Sequence, residues 1–455
     1  MEKAMGELAG VSPAVRGGSD RAGTVFATPV PCRFLLELLD FHSGSAVGLP
    51  TGGAEGADSV VLDASMALEL PPRSLEHPLP AGMRDLLPEE AAARRALARH
   101  VLDRFSLHGY GLVTLPAFEL AEVLERGLGM LDPSDVLRFV EPESGEVAAL
   151  RPDMTPQIAR MIATRLRDRP APLRIAYEGT VLRRRSGRAR KHRQIPQVGV
   201  ELAGVTGPDG DLELLALAAA SLAAAGLERF TLDVGDAGIV RALLASRTPA
   251  EQARLSDAMA RKDDAAIDDP TLRAVAAMQG GRDVLVEGTR LLAATPAAEP
   301  ARRLLALFDA AVARGLGPHL VADLGEVRGF AYYTGAIFHA YAPGTGDALA
   351  SGGRYDELLA RFGCPMPAAG FAVDLDRAAE ALHAAGVVEP AVMRVVAFGP
   401  GAEARATELR SRGTAAVTAP SREAALAWAR AWGFTHVLDG ATGATIAAHL
   451  SEGGT

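Results

Sequence analysis

The sequence predicts an α+β fold, and three patterns carry that expectation. Short strand-like segments recur between Leu112 and Ala203, separated by helical or turn stretches. A mainly helical, Ala/Leu/Arg-rich stretch then runs from about Ile239 to Gly315. Finally, Arg394–Gly440 has strand, helix, strand, helix, strand order, as a small α/β unit would. The domains expected are a core over residues 78–390 with a helical insertion over about 237–315, and a C-terminal unit over 393–455.

Residues 1–77 are rich in Gly, Ala, Pro and Ser and show no sustained periodicity. They read equally well as a disordered extension or as the product of a start codon placed too early, with Met66 as the other start. The apolar run Phe34–Leu39 has nothing around it to form a core.

The elements follow in order. Pro88 opens a helix whose first turn holds Glu89 and Glu90, favourable beside the positive end of the dipole, and Gly109 ends it. Leu97, Val101, Leu102 and Phe105 form its apolar stripe. A strand runs through Leu112, Val113 and Leu115, and Phe139–Leu150 reads as two strands joined by a turn over Pro142–Gly145. Thr155-Pro156 reads as an N-cap and first-turn proline of a helix with Ile158, Met161, Ile162 and Leu166 on one face. Strands follow at Leu173–Tyr177 and Gln197–Ala203, then an Ala-rich helix, then strands at Phe230–Val234, Phe330–Tyr341 and Phe371–Val373.

Bulk properties exclude several classes. With 455 residues, 48% hydrophobic and 23% charged, the chain has the composition of a soluble globular protein of two or three domains. A formal net charge of −9 leaves no global footprint for nucleic acid. Cys32 and Cys364 are far apart, so neither a disulfide framework nor a cysteine-rich zinc site is expected, and a cytoplasmic location fits. The longest uncharged apolar run, Leu214–Leu227, is shorter than the roughly 20 residues a bilayer requires. Neither a metal nor a cofactor is expected.

Chemistry concentrates in a few segments. Arg183–Arg193 carries seven fixed positive charges and no acid. Such density is stable as a solvated loop, or against phosphates or an acidic partner, and Arg183 and Arg193 at the strand edges are the better ligand candidates. In the next strand Gln197, Gly199 and Glu201 alternate with Val198, Val200 and Leu202, so an amide and a carboxylate share one face. The glycine between them leaves room for a ligand, and an acceptor beside an amide suits an imidazole or amino group. A half-exposed sheet with ordinary polar residues outward fits the same pattern. Leu150–Pro156 adds Asp153 and Thr155 at a helix start, where an ammonium group could be held. Val327–Gly335 supplies an arginine and paired tyrosines, and Ser351–Asp356 and Gly370–Arg377 complete the set.

In this order, with Gly82–Pro88 and Gly109–Pro116 before them, these segments resemble histidyl-tRNA synthetase and its paralogue, the regulatory subunit of ATP phosphoribosyltransferase. The resemblance runs from about Leu79 to Leu382. It implies a class II aminoacyl-tRNA synthetase-like antiparallel sheet flanked by helices, dimeric through the segment near Gly109–Pro116. It also implies a histidine pocket formed by Asp153, Thr155, Gln197, Glu201, Arg328, Tyr332, Tyr333 and Tyr355. Asp153 stands where the synthetases usually carry glutamate. Arg183 and Arg377 match arginines that grip ATP phosphates in class II synthetases, and with Arg193 they are the candidate phosphate or anion contacts.

Departures from the synthetase pattern favour the regulator. Arg185 replaces an adenine-facing glutamate, and the following loop reads Ser186-Gly187-Arg188. Ala331 stands where a carboxylate is usual, and the C-terminal unit is shorter than an anticodon-binding domain. Leu232–Leu244 and Arg261-Lys262-Asp263 are similar to the regulator's pattern. The implied role is non-catalytic, since no acidic phosphoribosyl-pyrophosphate loop is present. The chain would pair with a short catalytic phosphoribosyltransferase in a hetero-oligomer and mediate histidine feedback on the first step of histidine biosynthesis, with tRNA not a partner. The other readings are an active histidyl-tRNA synthetase, and a class II relative that binds another metabolite, or tRNA, without aminoacylation.

Overall fold

The structure, a computed structural model, describes residues 79–127, 133–184, 192–327, 333–387 and 392–448. The expectations for residues 1–77, for Arg185 to Lys191, and for Arg328, Ala331 and Tyr332 lie outside these. Everything below concerns the described residues of the unit Ser74–Thr455.

Helix α1 (Pro88–Leu107) begins at a proline with Glu89 and Glu90 in its first turn, and buries Leu97, Val101 and Phe105. Gly109 ends it at φ +81°, a left-handed conformation that glycine adopts without strain. Strand β1 (Gly111–Val113) follows, then β2 (Phe118–Leu120), α2 (Ala121–Gly127), β3 (Arg138–Val140) and β4 (Val147–Leu150). The last three strands form a small antiparallel sheet of order β2-β4-β3. Helix α3 (Thr155–Arg165) leads into the main sheet.

That sheet is built from β5 (Leu173–Leu182) and β6 (Gln194–Ala203), then, after helix α4 (Asp209–Ala224), β7 (Thr231–Asp236). Helices α5 (Ala237–Leu244), α6 (Pro249–Ala260) and α7 (Pro270–Ala277) follow, then β8 (Gln279–Gly280), α8 (Arg282–Leu291) and α9 (Ala298–Ala313). The chain re-enters the sheet as β9 (Leu320–Asp323), β10 (Ala336–Tyr341), β11 (Ala350–Arg354) and β12 (Ala368–Asp374), and α10 (Leu375–Ala384) closes the unit. The order is β1-β5-β6-β12-β11-β10-β7-β9-β8. Its middle is antiparallel throughout, the class II synthetase-like arrangement. Two outer pairs are parallel, β1 with β5 and β7 with β9. Parallel neighbours need a crossover, and the α5–α9 segment supplies one between β7 and β9.

Strand alternation gives the sheet two different faces. Val198, Val200 and Leu202 are fully buried in the core shared with α1, α4 and α10, where Phe105 meets Phe371 edge-on at 5.6 Å. Helix α4 is buried over most of its surface, which explains its all-round Leu/Ala composition. On the other face Tyr177, Tyr333 and Tyr355 pack with Met154, Ile158 and Ile162. The α5–α9 helices carry strong start signals: Asp236 caps α5, a reciprocal Thr248–Glu251 capping box opens α6, and Asp269 caps α7.

The C-terminal residues form their own sheet. Strands β13 (Arg394–Phe398), β14 (Ala415–Ala419), β15 (His436–Asp439) and β16 (Thr445–Ala447) lie in the order β14-β13-β15-β16, with α11 (Ala402–Ser411) and α12 (Arg422–Ala431) between them. Among the described residues no helix is long and apolar enough to cross a membrane. Leu217 of α4 is fully buried, so Leu217→Ala should lower unfolding stability by about 2–5 kcal/mol, read from denaturant melts.

Candidate functional site

The site grows from the middle of β6. Glu201 pairs in register with Ile175 of β5 on one side and Gly370 of β12 on the other. Glu201 is 3% exposed. A Cβ at position 370 would fall 2.2 Å from Glu201 Oε2 and 2.5 Å from the Tyr355 hydroxyl, so both side chains lie directly over that glycine. Gly199 is also a forced glycine, but not for the reason its sequence context suggests. Tyr177, its register partner on β5, fills the space above it, with the phenol oxygen 2.4 Å from where a Cβ would sit. The room beside Glu201 at position 199 is therefore taken by a tyrosine.

The start of α3 supplies the next groups. Thr155 is not the N-cap; Met154 occupies that position, and Thr155 is the first helical residue. Its backbone N–H donates to Asp153 Oδ1 at 3.0 Å. That leaves the Thr155 hydroxyl free to donate across to Glu201 Oε1 at 2.6 Å. Arg183 lies at the rim: its Nε donates to the Pro152 carbonyl at 2.7 Å, and its terminal nitrogen meets Asp153 Oδ2 at 3.4 Å. Arg151 ties the same turn to β5 through the Thr180 carbonyl at 2.9 Å.

Burial dominates the electrostatics. It holds the Glu201 carboxyl well above the usual carboxylate range, opposed by the Thr155 hydrogen bond and reinforced by the charge of Asp153. Burial likewise raises the Tyr177 and Tyr333 phenols, and the charges of Glu201 and Asp153 add to both. Tyr333 and Tyr355 stand 6.4 Å apart between ring centres, and Arg241 of α5 donates to the Tyr333 carbonyl.

The fold thus gathers Asp153, Thr155, Glu201, Tyr333 and Tyr355, with Arg183 at the rim. Gln197 is half-buried further along the same face of β6, opposite Gly179 and Asp374. Arg328 and Tyr332 lie outside the described residues. Arg193 enters through its backbone: its carbonyl accepts from the Arg183 N–H, and its N–H donates to the Gly82 carbonyl at 2.7 Å. Arg377 is held away from the group by Glu380 at 2.8 Å and Asp347 at 2.9 Å.

Sequence reasoning missed Tyr177, which only the β5–β6 register places over Gly199. It also missed two polar groups elsewhere. Asp233 on β7, with Asp323 and Glu326 at the end of β9, has ligand atoms within 4.8 Å of one another and lines a cavity of about 500 Å³. Lys262, at φ +52°, donates its ammonium to both oxygens of Asp323 at 2.8 and 3.0 Å, so these acids already have an internal cation. Three acids at this spacing could hold a metal only in competition with that ammonium. The segments around Asp233 and Lys262, singled out separately in the sequence, meet here. Behind Tyr355, buried Arg354 donates to Asp211 at 2.7 Å and to Asp356 at 2.9 Å. Burial pushes the Asp211 carboxyl up to about 6 against the pull of Arg354.

A central antiparallel sheet with a buried acid in its floor and a helix start at its rim defines a class II synthetase-like fold, and comparison with known proteins agrees. The histidyl-tRNA synthetase family model matches residues 82–378. The chain is 40% identical over 377 residues to an ATP phosphoribosyltransferase regulatory subunit of Moorella thermoacetica, covering 78% of this chain and 96% of that one. One from Anaeromyxobacter sp. (strain K) is 43% identical over 323 residues, covering 68% and 92%. A solved structure from Bacillus halodurans, titled ATP phosphoribosyltransferase regulatory subunit/histidyl-tRNA synthetase, superposes with a TM-score of 0.70 at 29% identity, covering 79% and 97%. The chain belongs to the histidyl-tRNA synthetase-like family, in the branch of the ATP phosphoribosyltransferase regulatory subunits.

Removing the bridging hydroxyl would leave Glu201 Oε1 without its donor. Thr155→Val should therefore cost about 1–3 kcal/mol in unfolding stability, measured by chemical denaturation.

Proposed function

We propose that the chain is a non-catalytic regulatory subunit that binds histidine at Glu201. In this reading it conveys feedback inhibition to a short catalytic ATP phosphoribosyltransferase subunit at the first step of histidine biosynthesis. The observation that carries the reading is the Glu201 carboxylate, sealed under Tyr177 and Tyr355, bridged to Thr155 and facing Asp153. One acid deep in an aromatic pocket and a second at its mouth suit a ligand with an imidazole and an α-ammonium group. Gln197, Tyr333, Arg328 and Tyr332 would complete the enclosure. The partner is suggested by the names of the relatives, since a regulatory subunit implies a catalytic one.

The arginines support regulator over synthetase. To grip ATP phosphates, Arg183 would have to give up Pro152 and Asp153, and Arg377 would have to give up Glu380 and Asp347. Arg185 and Ala331 add to this from the sequence, since acids are usual at both positions in the synthetases. A homodimer within the complex would form along β1, where Leu112 is 60% exposed, with Phe118, Val140 and Val147 also exposed nearby in sequence. The C-terminal α/β unit would be the shortened counterpart of an anticodon-binding domain, with no tRNA to bind. The scarcity of cysteine fits a complex in a reducing cytosol.

Regulation of this kind is a coupling between two sites, so substrate binding to the partner must shift histidine affinity by the same factor. Glu201→Ala removes a charge-assisted hydrogen bond of about 1.5–3 kcal/mol. It should raise the histidine concentration for half-inhibition roughly 10- to 150-fold in the reconstituted complex, with activation of the catalytic subunit retained. Unchanged inhibition would sink the assignment. Histidine-dependent ATP–pyrophosphate exchange by the chain alone would favour the synthetase instead.

A further inference from the structure

The histidine reading leaves the charge state of Glu201 open, and its surroundings decide it. Oε1 accepts from Thr155, while Oε2 is buried with no hydrogen-bond partner among the described residues. The groups around it come from every neighbouring element: Asp153 and Thr155 at the start of α3, Tyr177 on β5, Tyr355 after β11 and Tyr333 before β10. Tyr110, Glu213 and Arg174 lie on the other side of the sheet, where the phenol and the guanidinium both donate to Glu213. Among the described residues, the groups directly around Glu201 are carboxyl, hydroxyl and phenol groups. The arginine at the rim, Arg183, is directed to Asp153.

An ionised carboxylate in this position would be a buried charge with one hydrogen bond and a second negative charge nearby, which is a costly arrangement. A carboxylic acid would be an uncharged donor aimed into the pocket. We propose that Glu201 carries a proton on Oε2 in the empty pocket and passes it to the unprotonated ring nitrogen of an incoming imidazole. This rests on reading the pocket as a histidine site. In the transfer the Glu201 O–H bond breaks, an N–H bond forms on the ligand ring, and the product is an imidazolium–carboxylate pair. Neutral histidine then binds without exchanging protons with solvent. Histidine that arrives already protonated must expel the Glu201 proton to solvent.

The two possible charge states give opposite pH dependences. Free imidazole titrates at about 6.5. With Glu201 neutral in the empty pocket, histidine affinity should be level just above that pH and fall about tenfold per unit below it. With Glu201 ionised, affinity would instead be level below that pH and fall about tenfold per unit above it, and this result would overturn the proposal. Titration calorimetry of the full chain with histidine across this range reads the difference directly.

A ligand-free measurement separates this claim from the histidine reading. A carboxyl raised above its unfolded value of about 4.3 contributes stability that is fully present below that pH and is lost as pH rises towards the folded value. The empty protein should therefore lose stability relative to E201Q as pH rises from the ordinary carboxylate range. A constant difference between the two would overturn the proposal. If histidine shows no binding at any pH, the pocket assignment fails, and the E201Q comparison still decides whether Glu201 is protonated.

Discussion

The antiparallel pairing of β5 with β6, in register from Leu173 opposite Ala203 to Leu182 opposite Gln194, sets the geometry on which the rest depends. It puts Val198, Val200 and Leu202 into the main core and turns Glu201 to the other face. It also brings Tyr177 over Gly199 and carries Arg183, just beyond the end of β5, to the Asp153 turn. A register slip of one residue would reverse every one of these placements. The core packing that fixes the register therefore also fixes the pocket.

Much of this was legible in the sequence because it depends on local periodicity. Pro88, Glu89, Glu90 and Gly109 mark the ends of α1, and the alternation through Gln197–Leu202 separates the two faces of β6. What was not legible depends on which strands become neighbours. Tyr177 belongs to the site only through the β5–β6 register. Asp233, Asp323 and Glu326 meet only because β7 and β9 pair in parallel across the α5–α9 segment. Thr155 resembles a cap because hydroxyl residues commonly cap helices, yet the Asp153 carboxylate takes the Thr155 backbone N–H and releases the hydroxyl for Glu201.

The groups around Glu201 and the arginines near them differ in their charge partners. Around Glu201 the Thr155 hydroxyl is bridged to the buried carboxyl, with Tyr177, Tyr333 and Tyr355 on the flanks. Arg183 and Arg377 meet carboxylates of the chain itself. The links from Arg241 to the Tyr333 carbonyl and from Arg354 to α4 connect the pocket walls to helices around the sheet.

The most direct test of this account is a crystal structure of the full chain grown with histidine. It should show the ligand's imidazole within hydrogen-bond distance of Glu201 and its amino group at Asp153 and Thr155. A histidine bound elsewhere, with the Glu201 pocket empty, would contradict the account.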